Sequence, residues 1–270
     1  MPELPDVENF GRYLKRRALK QSIRDVVIGD KRALRKLSPE RLKRRAIGSQ
    51  FVTLRRHGKN LFARLSRGGW IAFHFGLTGY FDYFADGAKT RRHDRVRFDF
   101  ANGRHLAFVD PRLFGAVGLV DDPDAFIVAQ RLGPDALAPK LTLRRFKEAI
   151  GRGGSAKATL MDQSRIAGIG NLWADEILFQ ARIHPRTKIA RLTDGEIAAM
   201  YRAMRRALPV GIASNAGDDS FVARLPSSYL LKQRWRTPAQ RRCPRCGGPI
   251  KTLTAAGRTT HVCPRCQKPR

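Results

Sequence analysis

No cysteine occurs before position 243, and all four lie within the last 28 residues. That absence leaves nothing for a disulfide framework over most of the chain and fits a reducing cytoplasm. No apolar run approaches the roughly 18 residues of a membrane span, and the N-terminus lacks the apolar core of a secretory signal. Internal repeats are missing too. Negative charge is scarce: 23 Asp and Glu stand against 53 Lys and Arg, a net charge of +30. Such a field calls for a polyanionic partner, with nucleic acid the first candidate. An anionic membrane surface is the competitor, but no basic amphipathic segment stands apart from the rest. Arginine dominates the excess, which suits bidentate phosphate contacts.

The chain of 270 residues, 42% hydrophobic, is long enough for one large or two ordinary domains. Val7, Phe10 and Leu14 recur at helical spacing behind Pro5, predicting an opening helix. From about 22 to 121 the pattern is that of strands, at 23–28, 51–54, 61–65, 70–75, 96–100 and 105–109. His57-Gly58-Lys59-Asn60 and Asn102-Gly103 supply tight turns. Short strands with turns between them predict an antiparallel sandwich or barrel. Asp122-Pro123-Asp124 and Gly133-Pro134-Asp135 are breaker clusters that mark a boundary. Beyond them the period is helical. Residues 172–181 read as one helix, and Thr193 with Glu196 forms a capping box before Ile197, Met200, Met204 and Leu208. Residues 211–228 read as a flexible loop. The basic run 41–45 reads as a solvated face.

Four motifs carry chemistry. Removal of Met1 would leave Pro2 with a free secondary amine, able to attack an aldehyde-level carbon and form an iminium ion. A helix start behind it lowers the amine's proton affinity, since the dipole disfavours a second positive charge. On that residue alone, ordinary punctuation before a helix is the stronger reading. Cys243-Pro244-Arg245-Cys246 and Cys263-Pro264-Arg265-Cys266, sixteen residues apart, form a four-cysteine set for one structural Zn2+ on a β-ribbon. Gly168-Ile169-Gly170-Asn171 opens the 172 helix, leaving backbone N–H groups free for an anion. No GxGxxG follows a strand there, so a Rossmann reading fails. Phe75-Gly76-Leu77-Thr78-Gly79 and Asp110-Pro111-Arg112-Leu113-Phe114-Gly115 each put an apolar side chain on a Gly-flanked turn. Apolar wedges beside arginine fill gaps in a base stack; buried turn residues are the bland alternative.

Together these segments resemble the formamidopyrimidine-DNA glycosylase/endonuclease VIII family, closer to its first branch. The matching residues are Pro2-Glu3-Leu4-Pro5, Gly58-Lys59, His74 through Gly79 and Asp110 through Gly115. They continue through Leu160-Met161-Asp162, Gly170-Asn171 and His184-Pro185 to the four cysteines, in family order from end to end. The resemblance implies an α+β fold with three parts. They are an N-terminal antiparallel β-sandwich with an N-terminal helix (1–122), a helix–two-turn–helix domain (137–236) after a linker at 123–136, and a zinc ribbon (237–270). It implies a lesion loop at about 211–229. It makes Pro2 the nucleophile on C1′ of the damaged nucleotide, Glu3 the acid/base group, and Lys59 a catalytic and phosphate-holding residue. Leu77, Arg112 and Phe114 fill the gap left by the flipped base, and Lys157, Asn171 and Arg258 lie near the DNA backbone or lesion. The implied activity is that of a bifunctional glycosylase and abasic-site lyase. It would excise oxidised purines from damaged double-stranded DNA as a monomer, cytoplasmic and nucleoid-associated, with no membrane partner.

The chain departs from the family pattern at three places. Leu77 stands where purine-directed members carry Met, Asp6 where Glu is commoner, and 211–229 lacks the Gly-rich lesion cap. The last keeps an alternative open, the same chemistry on oxidised pyrimidines. A non-enzymatic zinc-ribbon DNA-binding protein would explain charge and cysteines but not Pro2, Glu3 and Lys59. A ribosome-associated basic protein would form no covalent adduct with DNA.

Overall fold

The structure, a computed structural model, describes residues 2–85, 91–218 and 220–269. Met1, whose removal the Pro2 chemistry requires, and Asp219 of the expected loop lie outside the described residues. The chain groups into two compact units: Met1–Pro2 with Asp6–Gln130, and Glu3–Pro5 with Arg131–Arg270.

The first unit is a β-sandwich. Strands β1 (Ile23–Ile28), β6 (Asp94–Phe100), β7 (Arg104–Val109) and β5 (Tyr80–Ala85) make one antiparallel sheet in that order. The other runs β2 (Phe51–His57), β3 (Asn60–Leu65), β4 (Trp70–His74) and β8 (Ala116–Val120). Their inner faces interlock through aromatic rings: Phe51 meets Phe98 edge-on at 5.3 Å and Phe73 meets Phe81 at 4.9 Å. Each such side chain, fully buried, contributes roughly 2–3 kcal/mol. Helix α1 (Leu4–Ala18) adds Val7 and Leu14 to this core. The run 41–45 lies in helix α2 (Pro39–Ala46), where Leu42 and Ala46 are buried and Arg41, Arg44 and Arg45 exposed.

Residues 123–129, expected in a linker, form helix α3 (Pro123–Ala129). The Asp-Pro pair that reads as a breaker is here a helix start. Asp122 is the N-cap, accepting from the amides of Asp124 and Ala125, with Pro123 in the first turn. Phe126 then packs edge-on against Phe62 at 5.4 Å, covering the outer face of β3.

In the second unit, α4 (Leu143–Ile150), α5 (Ala156–Met161), α6 (Asn171–Gln180) and α7 (Asp194–Ala213) surround fully buried Trp173. The capping box of α7 is reciprocal: Glu196 N–H donates to Thr193 Oγ1 at 3.3 Å and Thr193 N–H to Glu196 Oε2 at 2.8 Å. Gly211 lies within this helix where no side chain fits, because a Cβ there would lie 2.2 Å from the Trp173 ring. Short helix α8 (Phe221–Arg224) follows. The C-terminal ribbon is the hairpin β9 (Lys251–Ala255) and β10 (Arg258–Val262). Ala256 (φ 51°) and Gly257 (φ 66°) form its turn, both left-handed as a type I′ turn requires.

Candidate active site and nucleic-acid interface

Glu3 is fully buried. Its carboxylate sits on the N-terminus of α6, where Oε2 accepts from Gly170 N–H (2.6 Å) and Trp173 N–H (3.2 Å), and Oε1 from Leu172 N–H (2.7 Å). The amides left free by the glycine motif therefore hold an anion that belongs to the chain itself. The approach is close enough to exclude any side chain at 170, where a Cβ would stand 2.4 Å from Glu3 Cδ. Leu4 N–H donates to Gly168 O at 2.9 Å, fixing the backbone after Glu3. Pro2, half-buried, is bonded directly to this clamped residue.

Asn171 opens α6 and donates from Nδ2 to Thr259 O of β10 at 3.3 Å, while its buried Oδ1 has no partner among the described residues. Arg258 starts β10 and is exposed. In the ribbon the four cysteine sulfurs lie within 4.8 Å of one another. Cys243 Sγ to Cys266 Sγ is 3.8 Å and Cys246 Sγ to Cys263 Sγ 3.6 Å. A tetrahedron of sulfurs about 2.3 Å from zinc has edges of about 3.8 Å, whereas a disulfide is about 2.05 Å. The donor set fits zinc and fills every coordination position, so the metal is structural. Arg245, in the first knuckle, donates to Phe179 O at 3.0 Å at the end of α6 and lies over the Phe179 ring at 4.5 Å.

In the sandwich unit, Lys59 occupies the turn between β2 and β3, where His57 pairs with Asn60 and Gly58 has φ 56°. His74 pairs with Asn60 from β4. Burial, then the positive charges of Arg35 and Lys59, push His74 down to about 4, so it is neutral near pH 7. Its Nδ1 accepts from Gly76 N–H at 3.3 Å, leaving the proton on Nε2 as a donor.

The two wedge loops are one construction. Buried Asp110 accepts at Oδ1 from Thr78 Oγ1 (2.7 Å) and Arg112 N–H (3.3 Å), and at Oδ2 from Gly115 N–H (2.6 Å). A Cβ at Gly76 would lie 2.2 Å from the Phe114 backbone, so the loops touch main chain to main chain. Leu113 is held at φ 56°, a strained value for a branched residue. Its neighbours are exposed, Phe114 at 54%, with the Arg112 guanidinium 5.0 Å from the Phe114 ring centre. Leu77 is half-buried.

Residues 1–117 match the formamidopyrimidine-DNA glycosylase N-terminal domain, 132–222 its H2TH domain, and 242–269 the zinc finger found in FPG and IleRS. The formamidopyrimidine-DNA glycosylase of Herpetosiphon aurantiacus is 34% identical over 276 residues, covering 99% of this chain and all of that one. The chain belongs to the formamidopyrimidine-DNA glycosylase family. Two crystal structures of the Lactococcus lactis formamidopyrimidine-DNA glycosylase, each 27% identical, superpose with TM-scores of 0.88 and 0.89. They cover 98% and 99% of this chain and 99% and 100% of theirs.

Two expectations drawn from this family meet a different setting in the structure. Lys157 has no exposed surface: its Nζ donates to Asp175 Oδ1 and Thr260 Oγ1, both at 2.6 Å. It is an internal ion-pair residue here, with no face for a phosphate. The expected loop at 211–229 is largely ordered, since α7 runs to Ala213 and α8 spans Phe221–Arg224. Arg224 binds Ser214 O at 2.9 Å and Ser220 Oγ at 2.7 Å, and Lys232 Nζ binds Leu225 O at 2.7 Å. Tyr229, at the end of that loop, is buried, whereas Pro226, Ser227 and Ser228 are exposed. His74 and Asp110 stand in the quoted motifs, but the sequence reading assigned neither a role. Among the described residues no helix is long and apolar enough to cross a membrane.

Proposed function

We propose that this chain is a bifunctional DNA glycosylase and abasic-site lyase of base-excision repair that acts on oxidised purines through an imine on Pro2. The observation that carries the reading is the buried Glu3 carboxylate, clamped by three amides with Pro2 as its chain neighbour. A residue held this tightly aims the adjoining backbone nitrogen and keeps a proton carrier beside it. The Pro2 nitrogen attacks C1′, and the glycosidic bond breaks as the base leaves, taking its proton from water. The Glu3 carboxylate takes the proton from the Pro2 nitrogen and returns it to O4′ as the C1′–O4′ bond breaks, which yields the iminium. The iminium acidifies C2′: loss of that proton expels the 3′ phosphate, and a second elimination expels the 5′ phosphate. Water then releases Pro2. Zinc takes no part in these steps.

Lys59 and the Nε2–H of neutral His74 offer a cation and a neutral donor for the phosphate beside the lesion. Leu77, Arg112 and Phe114 are the side chains for the vacated base position, and Asn171 and Arg258 contact the backbone. The Lactococcus lactis relatives were crystallised with abasic-site DNA and with DNA containing N7-benzyl-Fapy-dG, which favours this substrate class. The cross-tied 211–229 segment favours formamidopyrimidines over 8-oxoguanine, because ring-opened lesions already distort the duplex and need less help from a mobile cap.

Borohydride trapping on abasic-site DNA tests the chemistry. One extra residue before Pro2 abolishes the cross-link and spares duplex binding; undiminished trapping makes a lysine the nucleophile. Glu3→Gln folds but loses base excision. Single-turnover rates opposite cytosine rank the lesions, and faster release of thymine glycol moves the chain to the oxidised-pyrimidine branch.

A further inference from the structure

Asp175 lies on α6 one turn beyond Asn171 and is 1% exposed. Its Oδ1 accepts from Lys157 Nζ at 2.6 Å, and its Oδ2 from Arg234 Nη1 at 3.1 Å and the His261 backbone N–H at 3.2 Å. Lys157 reaches on to Thr260 Oγ1 at 2.6 Å, and Arg234 to His261 Nδ1 at 3.2 Å. One carboxylate thus gathers α5, α6, the segment entering the first zinc knuckle, and β10. One turn earlier, Asn171 Nδ2 binds Thr259 O. These two ties, about 6 Å apart along the helix, settle which residue of β10 faces which turn of α6.

Stability alone is a poor reason for this cluster. Buried charges lose their hydration, and well-packed apolar residues often replace such groups at no cost or with a gain. A carboxylate that accepts one particular backbone N–H adds to the hydrophobic pattern a directional tie that a slipped strand would lose. We propose that Asp175 is a positioning residue. It sets the register of the zinc hairpin on α6, and so holds Arg258 in the same frame as Glu3 at that helix's N-terminus. Arg258 stands three residues before His261, about 10 Å along the strand, so a slip of one residue would reverse its face. The inference rests on the reading that Arg258 touches DNA.

The test uses the full chain with zinc content verified and a duplex carrying tetrahydrofuran as a stable abasic analogue, titrated over a range of salt. Arg258→Ala lowers the slope of log affinity against log salt by about 0.9, one phosphate contact; an unchanged slope sinks the Arg258 reading and the inference with it. Given that drop, Asp175→Asn gives the same fall, and Asp175→Asn combined with Arg258→Ala falls no further. Additive losses overturn the inference while leaving the Arg258 contact standing. The paired change Asp175→Leu with Lys157→Met guards against a folding defect, because it removes the buried charge together with its fully buried partner and leaves only the partly exposed Arg234. That protein recovers its melting temperature but keeps the reduced slope. Recovery of both would show that Asp175 only fills space.

Discussion

A Cβ at position 170 would lie 2.4 Å from Glu3 Cδ and 2.6 Å from its Oε1. Gly170 has φ −126°, a value any residue adopts, so alanine there tests close approach without backbone strain. Gly170→Ala is expected to fold, to bind duplex, and to lose about a hundredfold in single-turnover excision, the usual cost of misplacing a catalytic group by about an ångström. Circular dichroism and rate measurements on the same preparation check it; an active alanine variant would mean the clamp is dispensable. At this scale much was legible. Pro2 and Glu3 are neighbours in sequence, and the glycines before residue 171 announced an anion cradle. The identity of the anion was hidden, because Glu3 comes from 167 residues away. Lys157 was placed near DNA by the resemblance alone, and the buried partner that holds it, 18 residues on, leaves no signal in the sequence.

Among the elements, α6 carries the most. Its Glu176 is fully buried and accepts from Leu231 N–H at 2.9 Å and Gln180 Nε2 at 2.6 Å, pinning the segment after Tyr229 to the helix. Burial raises Glu176 from 4.5 to about 7, with Asp175 adding repulsion. Burial and Glu176 also raise Tyr229 to about 12. A carboxyl whose folded value lies above its unfolded one stabilises the fold fully below pH of about 4.5 and loses that contribution as pH rises through about 7. The difference amounts to about 3 kcal/mol at its limit. Glu176→Gln should therefore flatten the decline in stability from pH 5 to 8, measured by urea denaturation at fixed salt. An equal decline in both proteins would place the titration elsewhere. Elements with their own signal were readable: the Gly58-Lys59 hairpin, the Thr193 cap, the two knuckles. Helix α3 was not, since Asp122-Pro123 serves breakers and helix starts alike. Strand β8 was not either, because Ala116–Val120 is short and borrows its place from β4.

For the whole molecule, the charge of +30 and the zinc ribbon work together. The ribbon brings only Ile250 and two of its cysteines to the small core it shares with Phe179 of α6 and Leu230, too little to fold against chain entropy without a metal. Cys243→Ser is expected to release zinc, disorder the β9–β10 hairpin and weaken binding to all duplexes alike, with a shallower salt dependence. Zinc assay beside salt titration decides it, and full affinity after verified zinc loss would contradict it. The clamp on Glu3 also has a temporal side. Closing a loop of 167 residues costs about 4 to 5 kcal/mol in chain entropy beyond a constant, and Gly170 leaves the ribosome on the order of 10 to 30 s after Glu3. On the proposed chemistry, the N-terminal amine is thus open to processing enzymes while the Glu3 carboxylate still has no helix to rest on. On that reading the Pro2–Glu3 pair is assembled only in a chain translated past α6.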